Sequence, residues 1–241
     1  MKRFLLPLLL VAPTAWGGLF LNEIRLDQTG ADNDEYFEIF SSDYENDSLA
    51  DVVLLVIGDG TGGSGVIESV TSLDGQTLTS PWFLVAESTF TMGTPSLSLP
   101  AGDNPLNFEN SDNVTYVLVR DFTGANGDDL DTNDDGVLDS MPWSVTLDAV
   151  AILETTETPP TSTEWAYPGL GSSVGPDGDF VPGHIYRSPD GGDWQIGQFD
   201  PVGGQDTPGA ANPAAVPEPS TNALFLLGAG ALFLRRKSSR R

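Results

Sequence analysis

Short runs rich in Val, Ile, Leu, Phe and Tyr recur along this chain between clusters of Gly, Asp, Asn and Pro, and from 18 to 212 no stretch keeps a helical period beyond two turns. The pattern predicts strands at 19–26, 36–40, 51–57, 66–72, 82–86, 114–120, 145–153 and 184–188. Alternation is plain at Phe37-Glu38-Ile39, which turns Phe37 and Ile39 inward and Glu38 to the opposite face. Asp74-Gly75 supplies a turn, and the glycines between 60 and 65 a looser one. Such a set of short strands favours an all-β fold of antiparallel sheets packed as a sandwich, with a barrel as the alternative.

The two ends follow a different pattern. Lys2 and Arg3 precede an unbroken apolar run over 4–12, and Ala15 and Gly17 put small residues where a signal peptidase reads them. A secretory signal peptide at 1–17 is expected, cut between Gly17 and Gly18. At the other end come Val216-Pro217-Glu218-Pro219-Ser220, twelve apolar residues over 223–234 and five bases from Arg235 to Arg241. The prolines keep the backbone extended, the apolar stretch is shorter than the ~20 residues of a comfortable span, and the bases favour the cytoplasmic side. Segment 213–241 resembles the PEP-CTERM sorting signal of Gram-negative bacteria, in its box, short transmembrane helix and basic tail. The resemblance implies exosortase as partner, transient residence of that helix in the inner membrane, and a cell-surface or extracellular-matrix destination in bacteria that export polysaccharide.

Charge narrows the function classes. The 241 residues hold 35 acids and 10 bases, and away from the two ends the bases reduce to Arg25, Arg120 and Arg187. A body this acidic repels phosphate backbones and anionic lipid surfaces, which argues against nucleic acid as a partner. With no cysteine, disulfides, thiolate nucleophiles and thiolate metal sites are excluded, and the one histidine, His184, leaves no His-rich zinc centre.

Three parts of the body, in order, resemble lamin-tail domains. They are Phe20-Leu21-Asn22-Glu23-Ile24 followed by Asp34-Glu35-Tyr36-Phe37-Glu38-Ile39-Phe40; Leu147 to Ile152; and Ile185-Tyr186-Arg187, Trp194 and Asp206-Thr207-Pro208-Gly209-Ala210-Ala211-Asn212. The resemblance implies an immunoglobulin-like β-sandwich over 18–212. The stretch 62–113 departs from that pattern and reads as an insertion.

Candidate chemistry centres on Asp129-Leu130-Asp131-Thr132-Asn133-Asp134-Asp135-Gly136-Val137-Leu138-Asp139. Counting from Asp131, oxygen donors stand at positions 1, 3, 5 and 9 (Asp131, Asn133, Asp135, Asp139), Gly136 at 6 and the Val137 carbonyl at 7. That is the ligand spacing of an EF-hand-like Ca²⁺ loop, although Pro142 replaces the bidentate glutamate at position 12. Ca²⁺ is therefore the expected cofactor. Asp32, Asp34 and Glu35 read as solvated charges, Arg120 and Arg187 as structural ion-pair partners. No nucleophile elbow or phosphate-binding glycine loop is present. The expectation is a non-enzymatic exported protein, calcium-stabilised, that meets exopolysaccharide or envelope proteins. The alternatives are a secreted metal-dependent hydrolase of the phosphoesterase or nuclease-associated kind, and a lectin-like glycan-binding module.

Overall fold

A computed structural model describes residues 18–45, 48–100, 106, 108, 110–160, 164–201 and 205–214. The expected signal peptide and the apolar and basic parts of the sorting segment lie outside these residues. Among the described residues no helix is long and apolar enough to cross a membrane.

The strands are β1 (Phe20–Arg25), β2 (Tyr36–Phe40), β3 (Val52–Gly60), β4 (Gly63–Ser72), β5 (Trp82–Glu87), β6 (Leu97–Leu99), β7 (Val114–Arg120), β8 (Val145–Ile152), β9 (Ser172–Val174), β10 (His184–Ser188) and β11 (Asp193–Ile196). They form two mixed sheets, ordered β11-β10-β1-β2-β5-β6 and β4-β3-β7-β8-β9. Pairing is antiparallel except at β5–β6 and β8–β9, both reached by connections that carry the chain back in the same sense. The glycines between 60 and 65 make a tighter connection than the sequence suggests, because β3 and β4 stay paired as far as Gly60 and Gly63. The stretch 62–113 is no appendage, since β4, β5 and β6 lie within it and belong to both sheets.

The sheets face each other across one core. Leu21, Ile24, Phe37, Ile39, Phe83, Val85 and Ile185 from the first sheet meet Leu54, Val56, Tyr116, Leu118, Val150 and Ile152 from the second. Phe37 and Ile39 point inward as their alternation requires. A bulge at Asn22 shifts the β1–β2 register between Leu21 and Glu23, so that Leu21 keeps its place in the core while Glu23 turns to the outer face beside Glu38. Arg187 and Asp148 tie the sheets laterally through a 2.8 Å ion pair, and Asp148 also accepts the Leu21 N–H.

Both outer faces are covered as well. Across the second sheet, Val53, Leu55, Ile57, Val117 and Val119 form a separate apolar cluster closed by Leu130 and Tyr167. This double burial accounts for the unbroken Val52-Val53-Leu54-Leu55-Val56-Ile57 run, which shows no alternation because neither face meets water. Across the first sheet, Tyr36, Leu84 and Ala86 are covered by Phe90 and Met92, and the polar half by residues 198–199 and 206–212.

Leu130 thus anchors the acidic loop: only 1 % of it is exposed, and its N–H donates to the Gly65 carbonyl at 3.0 Å. Gly65 has φ +87°, and a Cβ there would stand 2.6 Å from Asp131 Cβ, so only glycine allows the loop to lie against β4. Leu130→Ala is expected to cost about 2–5 kcal/mol, measured by urea unfolding. A cost below about 0.5 kcal/mol, typical of a surface substitution, would mean that the loop is not part of the packing.

Candidate functional site

Asp131, the first position of the loop, is fully buried. Its Oδ2 accepts the Gly136 N–H at 2.9 Å and the Tyr167 hydroxyl at 2.9 Å, while Oδ1 accepts the Asp135 N–H at 3.2 Å. Burial, then the hydrogen bond to Asp131 and the charges of Asp131, Asp134 and Asp129, raise the Tyr167 hydroxyl pKa. Asn133 Oδ1 accepts from Asp135 N–H, and Asn133 Nδ2 donates to Asp135 Oδ2 at 3.1 Å. Asp135 Oδ1 accepts the Val137 N–H, and Asp139 Oδ2 accepts both Thr132 N–H and Thr132 Oγ1–H. The Val137 side chain is 66 % exposed, which suits a position where only the backbone carbonyl is wanted. Gly136 has φ +83° and lies under the Trp165 ring, whose Nε1–H donates to the Asp134 carbonyl at 2.9 Å. Asp134 in turn accepts the Ser64 N–H at the start of β4.

Asp131, Asn133, Asp135, Val137 and Asp139 therefore share one tight turn, pinned to β4 and to the 165–170 segment. As a donor set they fit a hard cation: every candidate ligand atom is oxygen, and six carboxylates fall between Asp128 and Asp139 with no base among them. Asp131 is held by its neighbours, with the glycine at position 6 bonded to the acid at position 1.

A second polar assembly, on the outer face of the first sheet, brings together residues that sequence reasoning left apart. Glu23 Oε1 accepts the Tyr36 hydroxyl at 2.5 Å and the Thr207 N–H at 2.9 Å, and lies 2.9 Å from His184 Nε2. Arg25 donates through Nε to Asp206 Oδ1 at 2.6 Å and through its other nitrogens to the carbonyls of Asp27, Phe199 and Gln198. Glu38 accepts from Asn22 Nδ2 and from the Gly209 N–H. Asn212 closes the assembly, its Nδ2 donating to the carbonyls of Asn22 and Arg187. Burial raises the Tyr36 hydroxyl pKa, with the Glu23 and Asp206 charges adding to it.

Glu23, His184 and Asp206 have ligand atoms within 4.8 Å of one another. Arg25 holds Asp206 Oδ1 and three donors hold Glu23, while Asp206 Oδ2 and His184 Nδ1 are buried without a hydrogen-bond partner among the described residues. Glu23 and His184 are both fully buried. The assembly is a structural lock that fastens 206–212 across β1, β2 and β10.

Several single-residue expectations can now be placed. Arg187 is a structural partner of Asp148 and stacks 4.5 Å above the Trp194 ring. Arg120 caps the Ala50 carbonyl rather than an acid. Asp34 and Glu35 are buried rather than solvated, Asp34 accepting from Thr91 N–H and Oγ1. His184 and Asp206 were missed as partners because 22 positions and a strand separate them. The one available signal was the Asp206-Thr207-Pro208-Gly209 turn, which matched a family ending without revealing what it touches.

Comparison with protein-family models matches residues 215–241 to the PEP-CTERM protein-sorting motif. The chain carries this sorting signal. The PEP-CTERM motif marks the protein for export to the cell envelope or surface and for recognition by exosortase. It contains Val216, Pro217, Glu218, Pro219 and Ser220, all outside the described residues, and it begins three residues after Asn212. Comparison with curated proteins and with solved structures found no match.

The lock has a pH signature. Burial, opposed by the Asn22 hydrogen bond and reinforced by the Glu23 charge, pushes the Glu38 carboxyl up to about 8. A carboxyl raised in the folded state favours folding fully below its ordinary value of 4.5 and loses that contribution as the pH rises through about 8. Stability measured in EDTA is expected to fall across that window and to fall less steeply in Glu38→Gln. Identical slopes for the two proteins would contradict the assignment.

Proposed function

We propose that the protein is a non-enzymatic component of the cell surface or extracellular matrix of a Gram-negative bacterium. Its body, 18–212, is an immunoglobulin-like, lamin-tail-like sandwich stapled by Ca²⁺ at the 131–139 loop. It works by contact with exopolysaccharide or neighbouring envelope proteins, with cations bridging its carboxylates to theirs. The observation that carries the reading is the acidic loop itself, which sets oxygen donors at positions 1, 3, 5, 7 and 9 over the outer face of the second sheet with Asp131 buried beneath it.

The charge balance supports a counter-ion there, because six carboxylates in twelve residues repel one another at any neutral pH. Ca²⁺ supplies the compensating charge and joins Asp131, Asn133, Asp135 and Asp139, with the Val137 carbonyl, into one rigid turn. Affinity in the range of about 10⁻⁴–10⁻³ M suits extracellular modules that use the ion as a staple. The end of the described body also suits export. The lock is completed by Asn212 and by the Ser188 hydroxyl on the Pro213 carbonyl, both ahead of the 216–220 box near which exosortase processes its substrates.

Thermal unfolding of the purified protein in EDTA, in millimolar Mg²⁺ and in millimolar Ca²⁺ at fixed ionic strength tests the staple. Ca²⁺ is expected to raise the midpoint where Mg²⁺ does not, and the rise is expected to shrink in Asp131→Ala/Asp135→Ala. An equal Ca²⁺-dependent rise in parent and variant would reduce the loop to a solvated turn.

A further inference from the structure

The lock draws one side chain from each of three strands, and one from the segment that closes over them, to a single point. Glu23 comes from β1, Tyr36 from β2, His184 from β10 and Asp206 from the closing segment. Glu23 Oε1 stands 2.5 Å from Tyr36 Oη and 2.9 Å from His184 Nε2. Asp206 Oδ1 stands 3.3 Å from Tyr36 Oη and 3.8 Å from His184 Nε2. A tetrahedral zinc ion, with bonds of about 2.0–2.2 Å to nitrogen and oxygen, sets its ligand atoms roughly 3.4 Å apart. The four separations bracket that spacing, and among the described residues Glu23, His184 and Asp206 are the one trio of such side chains with ligand atoms within 4.8 Å.

Charge and open valences point the same way. Three carboxyls of the lock, Glu23, Glu38 and Asp206, stand against one base, Arg25, since Arg187 is committed to Asp148. Water does not make up the difference, because Glu23, Glu38 and His184 are fully buried and the Asp206 side chain is 7 % exposed. A divalent ion supplies the two positive charges that are missing. Tyr36 has one hydroxyl proton for two carboxylate oxygens. Asp206 Oδ2 and His184 Nδ1 lack any hydrogen-bond partner among the described residues. Nothing at Nδ1 therefore fixes the imidazole proton, and Nε2 is free to turn its lone pair to an ion. Asp206 likewise keeps an oxygen beyond the one that Arg25 holds. One imidazole nitrogen among carboxyl and phenol oxygens is a donor set for Zn²⁺ and not for Ca²⁺, which takes six to eight oxygens.

We propose that Glu23, His184 and Asp206, with the Tyr36 hydroxyl, form a structural Zn²⁺ site at the centre of the lock, apart from the 131–139 loop in place and in donor chemistry. Protein fills all four positions, the closed arrangement of a structural ion and not the open one of a catalytic ion. The imidazole is positioned for it from two sides. Its ring stacks on Tyr186 at 5.6 Å, and it packs so closely on Gly197 that a Cβ there would stand 1.9 Å from Nδ1. Arg25 orients Asp206 from outside, as partners of metal-bound carboxylates do. Because Asp206 belongs to the segment that covers the other three ligands, the ion enters before that segment closes and is held once it has. Loading thus accompanies folding, and the binding energy adds to stability.

Refolding the purified protein with Zn²⁺ or in EDTA, removing free metal and measuring bound zinc by elemental analysis tests the site. The Asp131→Ala/Asp135→Ala background keeps the loop from contributing. One equivalent of zinc per chain is expected, retained in EDTA until the protein unfolds, with an unfolding midpoint above that of protein refolded in EDTA. Asp206→Asn keeps an acceptor for Arg25 and His184→Gln a donor for Glu23. Both are expected to fold, as read by circular dichroism, and to lose the bound zinc. Tyr36→Phe, which removes a single oxygen, is expected to weaken zinc about tenfold or more in competition with a chelator during refolding. Refolding with Co²⁺ is expected to give the visible spectrum of a four-coordinate ion in the parent and not in His184→Gln, a change that a purely structural histidine would not produce. Absence of retained zinc overturns the proposal. So does zinc held equally by Asp206→Asn and His184→Gln, an unchanged affinity in Tyr36→Phe, or a six-coordinate Co²⁺ spectrum.

Discussion

The first sheet closes on one buried carboxylate. Glu23 sits on the face turned away from the core, where a solitary charge would cost several kcal/mol, and it is tolerated because Tyr36, His184 and Thr207 all converge on it. Thr207 belongs to a segment with no strand of its own. Around this point Gly209 donates to Glu38, Asp206 takes Arg25, and Asn212 bonds the backbone of β1 and β10. Removing residues 206–212 would take Thr207 from Glu23, Gly209 from Glu38 and Asp206 from Arg25. The segment just ahead of the sorting motif is therefore as much a part of the fold as any strand.

The same accounting explains how so acidic a chain folds. Away from its ends it has three bases, and each is committed to a fixed place, Arg25 in the lock, Arg187 between the sheets and Arg120 on the Ala50 carbonyl. The remaining acids are left to backbone N–H donors, to hydroxyls and to solvent. At Glu38 and Asp131 the backbone N–H groups of Gly209 and Gly136 serve the carboxyls.

Much of the fold was readable because apolar runs and turn residues agreed, and all eight expected strands occur within a few residues of their predicted bounds. The strands that escaped notice, Leu97–Leu99, Ser172–Val174 and Asp193–Ile196, are edge strands of three or four residues, too short for any alternation to stand out. Alternation at Phe37-Glu38-Ile39 told which side Glu38 faces but not that a distant segment covers that side. The acidic loop was readable from its spacing, whereas its attachment through Leu130, Gly65 and Tyr167 depends on contacts dozens of residues apart. Buried polar residues such as Glu23, Arg25, Glu35 and His184 look the same in sequence as solvated ones, since burial is decided by what packs over them.

Native-state hydrogen exchange of the Thr207, Gly209 and Asn212 amides tests the central claim most directly. Each donates to a carboxylate, of Glu23, Glu38 and Asp190 in turn, from a segment that has no sheet hydrogen bonds to protect it. If the segment is locked to the sheet, these three amides exchange only on global unfolding, as slowly as those of β1 and β2. Exchange at the rate of an exposed loop while β1 and β2 remain protected would show that the sandwich stands without the segment, and would contradict the account.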